Sequence, residues 1–215
     1  MKKNIIIIIV VLLVVNVFTL ISYYKYRQQS IASIKYLANE SVTEKDELYT
    51  HKVNFRAAIL NSNIKLNEEI MVRDSLNSHI FLHDVFMNTR QPIVVCRFSE
   101  TNCASCIKFS INMLREWIKT VKVGNVLFLA TYRNNKILNK EKQLYNIRDF
   151  NVFNISDFYI PAEEEGYPYY FVLDSTLNIS NLFFPDKATP EVTKKYLDLI
   201  QERHFLDLDA EKEKG

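Results

Sequence analysis

The chain has 215 residues, of which 48% are hydrophobic and 13% aromatic, so it contains enough apolar material to form a folded core. Its 27 basic and 25 acidic side chains give a formal net charge of +2, which argues against nucleic-acid binding through a basic face. Only three glycines occur, Gly124, Gly166 and Gly215. Because no two of them are grouped, glycine-rich phosphate loops of the Rossmann or Walker type are excluded.

The first predicted element is a membrane-spanning helix. Residues 4–24 carry no charge, and at about 1.5 Å rise per residue they would form roughly 31 Å of helix, the thickness of a bilayer's hydrocarbon core. Lys2 and Lys3 precede this segment, and Tyr23 and Tyr24 end it, as interfacial anchors do. A cleaved signal peptide is the alternative, but its apolar stretch is usually shorter and no small-residue cleavage pattern follows here.

The orientation of this segment rests on a narrow difference in charge, because Lys25, Arg27 and Lys35 follow it. We take the orientation with the short N-terminal tail inside as the default. Residues 1–26 then form a single-pass membrane anchor. The remainder of the chain is expected to face the periplasm or the cell exterior, where disulfide chemistry is permitted.

A helical stalk or linker is predicted over residues 27–63, which contain no proline or glycine. Both a continuous helix and one broken near residues 39–43 are compatible with the pattern. The apolar spacing is not a sustained heptad, so it does not by itself predict a coiled coil.

A folded domain is predicted over residues 64–206, ahead of a charged tail at residues 207–215. Two short β-prone runs between Ile70 and Leu82 predict a hairpin. The later elements are two buried strands at 93–98 and 125–132, a helix at 110–121, a helix-like polar stretch at 133–143, a short strand at 152–155, a hairpin at 169–184 and a closing helix from Pro190. This order predicts an α/β sandwich built on one βαβ unit and one ββα unit.

Cys103 and Cys106 lie after the first buried strand and before the first helix of this domain. At a helix N-terminus, free amide groups and the helix dipole stabilise a thiolate, which is the form that attacks disulfides. The two-residue spacing lets Cys106 reach Cys103 and resolve a mixed disulfide. We therefore predict Cys103 as the exposed nucleophile and Cys106 as the shielded resolving thiol.

A CxxC motif can instead supply half of a zinc site or form a static structural disulfide. A zinc site needs two further ligands, but Cys96 lies within an apolar strand and is predicted to be an inert buried thiol. His79 and His83 have no cysteine pair near them in sequence, so no metal site is predicted. The structural disulfide between Cys103 and Cys106 stays open as an alternative.

The residues Phe98 to Cys106 and Gly166 to Asp174 resemble the thioredoxin-like superfamily, in particular its membrane-tethered thiol-disulfide oxidoreductases related to peroxiredoxins. The resemblance covers about residues 64–204. It implies a thioredoxin-like α/β sandwich with an N-terminal β-hairpin. It also implies that Pro168 is a cis-proline facing the CxxC motif, and that Tyr167 offers backbone groups to a substrate peptide. The alternative for Pro168 is an ordinary proline at the start of a strand.

The chain departs from the family pattern at several positions. Asn102 stands where the family usually has tryptophan, and Ala104-Ser105 replaces a pair that usually ends in proline. Arg97 occupies a strand position where many members have a buried acid, which leaves Glu100 as the nearest carboxylate. Two roles for Arg97 stay open, lowering a thiol pKa by its charge or pointing out of the sheet. The run 163–165 is interpreted as a solvated acidic turn.

The sequence therefore predicts a membrane-tethered, extracytoplasmic thiol-disulfide oxidoreductase that exchanges disulfides with protein substrates through Cys103 and Cys106. Protein disulfides or dithiols are the expected partners, together with a membrane or periplasmic electron donor, and no cofactor is needed. Reduction or isomerisation is the direction that the resemblance implies. The alternative is a non-catalytic thioredoxin-fold interaction or sensing module with a structural disulfide. A peroxidase, supported only by Thr101, is a third interpretation.

Overall fold

The computed structural model describes residues 2–85, 91–121, 126–156 and 158–205. The helices and strands are α1 (Lys2–Leu60), β1 (Ile64–Lys65), β2 (Met71–Arg73), β3 (His79–Phe81), β4 (Ile93–Ser99), α2 (Ala104–Val121), β5 (Val126–Thr131), α3 (Asn135–Leu144), β6 (Asn151–Asn154), β7 (Tyr169–Leu173), β8 (Asn178–Phe183) and α4 (Pro190–His204). By its contacts the chain divides into two compact units, Met1–Asp46 and Glu47–Gly215.

The first unit is helical. Among the described residues, no helix is long and apolar enough to cross a membrane. The side chains of residues 2–11 and 14, which include part of the predicted span over residues 4–24, lie outside the described part of the chain. The structure thus does not confirm the transmembrane segment.

The helix α1 continues without a break through residues 39–43. This segment has no proline or glycine, and the Thr43 hydroxyl donates a hydrogen bond to the Asn39 carbonyl oxygen at 3.1 Å. A hydroxyl that bonds back one turn is compatible with a helix interior. Of the two possibilities left open by the sequence, the continuous helix is the one observed.

The described strands form one eight-stranded sheet with the order β1-β8-β7-β4-β5-β6-β2-β3. The strands β4, β5 and β6 are parallel, while β7 is antiparallel to β4 and β8 is antiparallel to β7. The predicted N-terminal hairpin, β2 and β3, extends the sheet from β6. The βαβ and ββα units predicted from the sequence are confirmed.

The strand β4 is the centre of the core, and its side chains alternate between the two faces of the sheet. Val94, Cys96 and Phe98 face the apolar cluster that includes α2 and α4. Ile93 and Val95 face a second cluster on the other side, which includes residues of α1. A strand with both faces covered has a continuous apolar sequence, so its prediction from that pattern is confirmed.

The last turns of α1 belong to the second compact unit, although the sequence pattern assigns them to the stalk. Ala57 is buried in the core cluster that covers one face of the sheet. The Asn54 side chain accepts a hydrogen bond from the Phe184 N–H at 2.6 Å and donates one to the Phe184 carbonyl oxygen at 3.2 Å. An amide that satisfies both backbone groups just beyond β8 attaches the helix to the sheet.

Candidate active site

The CxxC motif lies where the chain passes from β4 into α2. The Cys103 carbonyl oxygen accepts hydrogen bonds from the backbone N–H groups of Cys106 and Ile107, both at 2.9 Å. Cys103 therefore occupies the N-terminal boundary of α2, and Cys106 lies within its first turn. The helix begins at Ala104, earlier than the Ser110 that the apolar spacing indicates, and Ile107 near its start is already buried in the core.

The two thiols differ in exposure and in acidity. Cys103 is exposed and Cys106 partly buried, and both are free thiols in the structure. Hydrogen bonds, first from Cys106 and then from Ser105, lower the pKa of Cys103 to about 6. Desolvation, followed by the proximity of Cys103, raises the pKa of Cys106. This asymmetry is what a nucleophile and a resolving thiol require.

Cys96 lies apart from this chemistry. Its side chain is fully buried in the cluster between the sheet and α2, and that burial raises its pKa. A buried, protonated thiol behaves as a small apolar side chain, as the sequence predicts. Among the described residues, no group of three or more potential metal-ligating side chains comes together.

The pH dependence of the alkylation rate of Cys103 should reflect its lowered pKa. We expect its rate with iodoacetamide to rise through about pH 6 and to level off above about pH 7, since the thiolate is the reactive form. Below that midpoint the thiol is protonated and the rate falls about tenfold per pH unit. Mass spectrometry of quenched samples measures this profile, with Cys103→Ser as the control that removes it. A midpoint near 8.5, roughly the value of a free cysteine, would contradict the assignment.

Asn102 connects the CxxC loop to the segment before β7. Its side-chain oxygen accepts a hydrogen bond from the Ser99 N–H at 2.8 Å, and its amide donates to the Gly166 carbonyl oxygen at 2.9 Å. The residue that departs from the family pattern thus links the loop before Cys103 to the residue before Tyr167. Tyr167 and Cys106 line one cleft.

Replacing Asn102 with alanine should cost about 1 to 2 kcal/mol of unfolding free energy, because two hydrogen bonds are lost at about 1 kcal/mol each. Asn102→Asp keeps the acceptor for Ser99 but places a carboxylate oxygen against the Gly166 carbonyl oxygen, so it tests the contact with Gly166. Urea unfolding of the full-length protein measures both. Wild-type stability in both variants would show that neither contact contributes.

The structure corrects one expectation about Pro168. No peptide bond between described residues is cis, so the bond between Tyr167 and Pro168 is trans. The trans isomer is favoured by about 0.5 to 1 kcal/mol for bonds that precede proline. Pro168 is buried directly ahead of β7, as a proline at the start of a strand. The cis-proline implied by the resemblance is wrong for this structure.

A buried ion pair lies on the other face of β4. Arg97, with 1% exposure, donates from Nε to Glu163 Oε1 at 2.8 Å and from Nη2 to Glu163 Oε2 at 3.0 Å. Its guanidinium also donates to Thr131 Oγ1 at 2.7 Å and to the Phe98 carbonyl oxygen at 3.0 Å. Glu163 accepts a further hydrogen bond from the Tyr169 hydroxyl at 2.6 Å.

The sequence pattern does not identify either partner of this ion pair. It leaves two roles open for Arg97, and it favours a solvated turn for Glu163. A signal is present, because an arginine inside an otherwise apolar strand needs a buried acidic partner. Residues 163–165 are acidic, but they are far from Arg97 in sequence. The contact therefore cannot be recognised from the sequence pattern. Glu100, in contrast, contacts the exposed Arg133 at 3.4 Å, as expected of a loop residue.

Two clefts flank the CxxC loop. One, of about 730 Å³, is lined by residues that include Arg97, Asn102 and Glu163. The other, of about 240 Å³, is lined by Cys106 and by residues from α1 and from the segment after β8. Tyr167, whose side chain is 57% exposed, lines both clefts. A substrate that approaches the cysteine pair from either cleft would meet this side chain.

Fold and site together define a class. The units β4-α2-β5 and β7-β8-α4 share one sheet, and a CxxC pair lies at the N-terminus of the helix that follows its central strand. This order of strands and helices is a thioredoxin-like fold, and its CxxC pair is accessible at Cys103.

No protein-family model and no curated protein matches the sequence. Among solved structures, a thiol:disulfide interchange protein from Bacteroides sp. is 13% identical, with a TM-score of 0.47 over 65% of this chain and 91% of that chain. The thioredoxin domain of a thiol-disulfide oxidoreductase from Bacteroides vulgatus is 12% identical, with a TM-score of 0.45 over 63% and 98% of the two chains. A peroxidoxin from Mycobacterium tuberculosis is 11% identical, with a TM-score of 0.49 over 67% and 98%.

Proposed function

We propose that this protein is a membrane-tethered, extracytoplasmic thiol-disulfide oxidoreductase that acts on protein substrates. The observation that carries the proposal is the pairing of an exposed Cys103, whose pKa is lowered to about 6, with the shielded Cys106 in the first turn of α2. Disulfide exchange requires an accessible thiolate of low pKa beside a resolving thiol, and this pair supplies both.

The exchange proceeds in two displacements. The Cys103 thiolate attacks one sulfur of a substrate disulfide, forms a mixed disulfide and releases the first substrate thiolate. Cys106 then loses its proton to solvent and attacks the Cys103 sulfur, which releases the second substrate thiolate. The substrate gains two electrons and two protons from solvent, and the protein is left with a Cys103–Cys106 disulfide. A membrane or periplasmic dithiol donor is needed to reduce that disulfide again.

The reduction potential of the pair tests this proposal. Full-length protein carrying Cys96→Ala is equilibrated with glutathione mixtures, alkylated and weighed by mass spectrometry. A potential between about −270 and −120 mV is expected, the range of working exchange proteins, and its position indicates reductant or oxidant. If the pair stays oxidised well below about −300 mV, or never forms a disulfide, the proposal of an oxidoreductase is rejected. The protein would then be a non-catalytic thioredoxin-fold module.

The tether is supported by the uncharged segment 4–24 with its basic flanks. We expect the full-length protein to stay with membranes during alkaline carbonate extraction, and a chain that lacks residues 1–26 to be released. A thiol reagent that cannot cross membranes should label Cys103 in intact cells. Extraction of the full-length protein would reject the anchor. With the pair reduced beforehand, protection of Cys103 in intact cells but not after lysis would reject the extracytoplasmic orientation.

A further inference from the structure

A lysine from a distant part of the chain lies next to the CxxC motif. Lys187 Nζ is 3.1 Å from Ser105 Oγ, and Ser105 Oγ is 3.1 Å from Cys103 Sγ. Lys187 also lines the cleft that contains Cys106. We propose that Lys187 is a positioning residue of disulfide exchange, which stabilises the Cys103 thiolate through Ser105 and the Cys106 thiolate by its charge. This inference rests on the proposed function for its role, but the acidity it describes is measurable without turnover.

The direction of the hydrogen bonds follows from the groups involved. An ammonium group has donors and no acceptor, so Lys187 donates to Ser105 Oγ. The hydroxyl of Ser105 then has its single proton available for the Cys103 sulfur. A donor to sulfur favours the thiolate over the thiol, and a charged group behind that donor strengthens the bond.

The segment that carries Lys187 is held by α1. Asn54 binds both backbone groups of Phe184, and the Thr50 hydroxyl donates to Asp186 Oδ2 at 3.2 Å. Asp186 Oδ1 accepts from the Ala188 N–H at 2.9 Å, so this carboxylate is engaged on both oxygens beside Lys187. The last turns of α1 thus hold this segment before the lysine, and the Thr189 hydroxyl, which donates to Thr50 Oγ1 at 3.1 Å, holds it after the lysine. Its position near Ser105 is a consequence of that anchoring.

Charged groups of either sign surround the cysteine pair. Glu165 lines the same cleft as Cys106 and Lys187, and Asp186 is the neighbour of Lys187 in sequence. Lys108 follows Cys106 in α2. The negative carboxylates of Glu165 and Asp186 disfavour ionisation of a nearby thiol. The positive ammonium groups of Lys108 and Lys187 favour it. Because Lys187 is exposed, solvent screens its charge and limits the expected effect to a few-fold.

The second step of exchange depends on Cys106, whose pKa is raised by desolvation and by Cys103 and lowered by the charge of Lys187. Lys187 lines the cleft that contains Cys106, so its charge favours deprotonation of this thiol, with the proton released to solvent. Lys187 and Ser105 would both act on the two displacements, with Ser105 acting more strongly on the first, because its Oγ is 3.1 Å from Cys103 Sγ and it only weakly lowers the pKa of Cys106.

Reaction of reduced full-length protein with the neutral disulfide 4,4'-dithiodipyridine separates the two steps, because each releases one thiopyridone. On a Cys96→Ala background at about pH 6, Lys187→Met should slow both releases about two- to fivefold. Ser105→Ala should slow chiefly the first. Lys187→Arg should restore both rates, and Lys187→Gln, which keeps a donor without the charge, should leave the second release slow.

The pH profile distinguishes this role from a structural one. In Lys187→Met the midpoint for alkylation of Cys103 should move to higher pH, while the rate of the fully ionised thiol is not reduced, since a more basic thiolate is at least as nucleophilic. Lys119→Met, at the far end of α2, is the matched control and should shift neither quantity. A Lys187→Met profile equal to that of Lys119→Met would overturn the proposal. Failure of the proposed function would instead show in the reduction potential of the wild-type protein.

Discussion

Replacing Glu163 with alanine is expected to lower the free energy of unfolding by about 3 to 5 kcal/mol, because the buried Arg97 would lose the carboxylate that accepts two of its hydrogen bonds. The guanidinium is 1% exposed, so it depends on hydrogen-bond acceptors that the protein supplies. Its bonds to Phe98 and Thr131 end on neutral oxygens, and the Tyr169 hydroxyl would lose its acceptor as well. The midpoint of urea unfolding of the full-length protein measures the loss.

Two variants make this prediction specific. Glu164→Ala, the exposed neighbour in the same turn, is the matched control and should change stability by less than about 0.5 kcal/mol. Arg97→Met combined with Glu163→Ala removes both charges and should recover most of the loss, since a buried pair contributes far less than the cost of breaking it. If Glu163→Ala were no worse than Glu164→Ala, the ion pair would have no structural role.

The second large effect concerns the order of the two cysteines. Cys103→Ser should abolish reaction with a protein disulfide such as that of insulin, because a serine hydroxyl is not ionised at neutral pH and cannot make the first attack. Cys106→Ser should keep the first attack and accumulate a mixed disulfide, because nothing remains to resolve it. Mass spectrometry of alkylated, unreduced samples detects that covalent adduct.

Cys96→Ala is the control for both variants, since Cys96 is buried away from the pair and its replacement should leave the reaction unchanged. An adduct in Cys103→Ser instead of Cys106→Ser would reverse the assignment of nucleophile and resolving thiol. An absence of adduct in both variants, with the disulfide intact in the wild type, would favour the non-catalytic module.

Features that depend on neighbours along the chain can be predicted from the sequence. The apolar run of β4 predicts a strand covered on both faces, and the position of Cys103 and Cys106 after it predicts a pair at a helix N-terminus. The hairpins and the closing helix from Pro190 follow from alternation, turn residues and capping chemistry. The structure confirms these elements because periodicity and local hydrogen bonding are encoded within a few residues.

Contacts between side chains that are distant in sequence are known from the fold alone. Arg97 contacts Glu163, Asn54 contacts Phe184 and Lys187 contacts Ser105 across long separations in sequence. The trans bond before Pro168 and the attachment of the last turns of α1 also lie beyond sequence patterns. The physical reason is that a buried charge, an unsatisfied backbone group or an exposed thiol specifies the kind of partner it needs. Which residue supplies that partner is settled by packing.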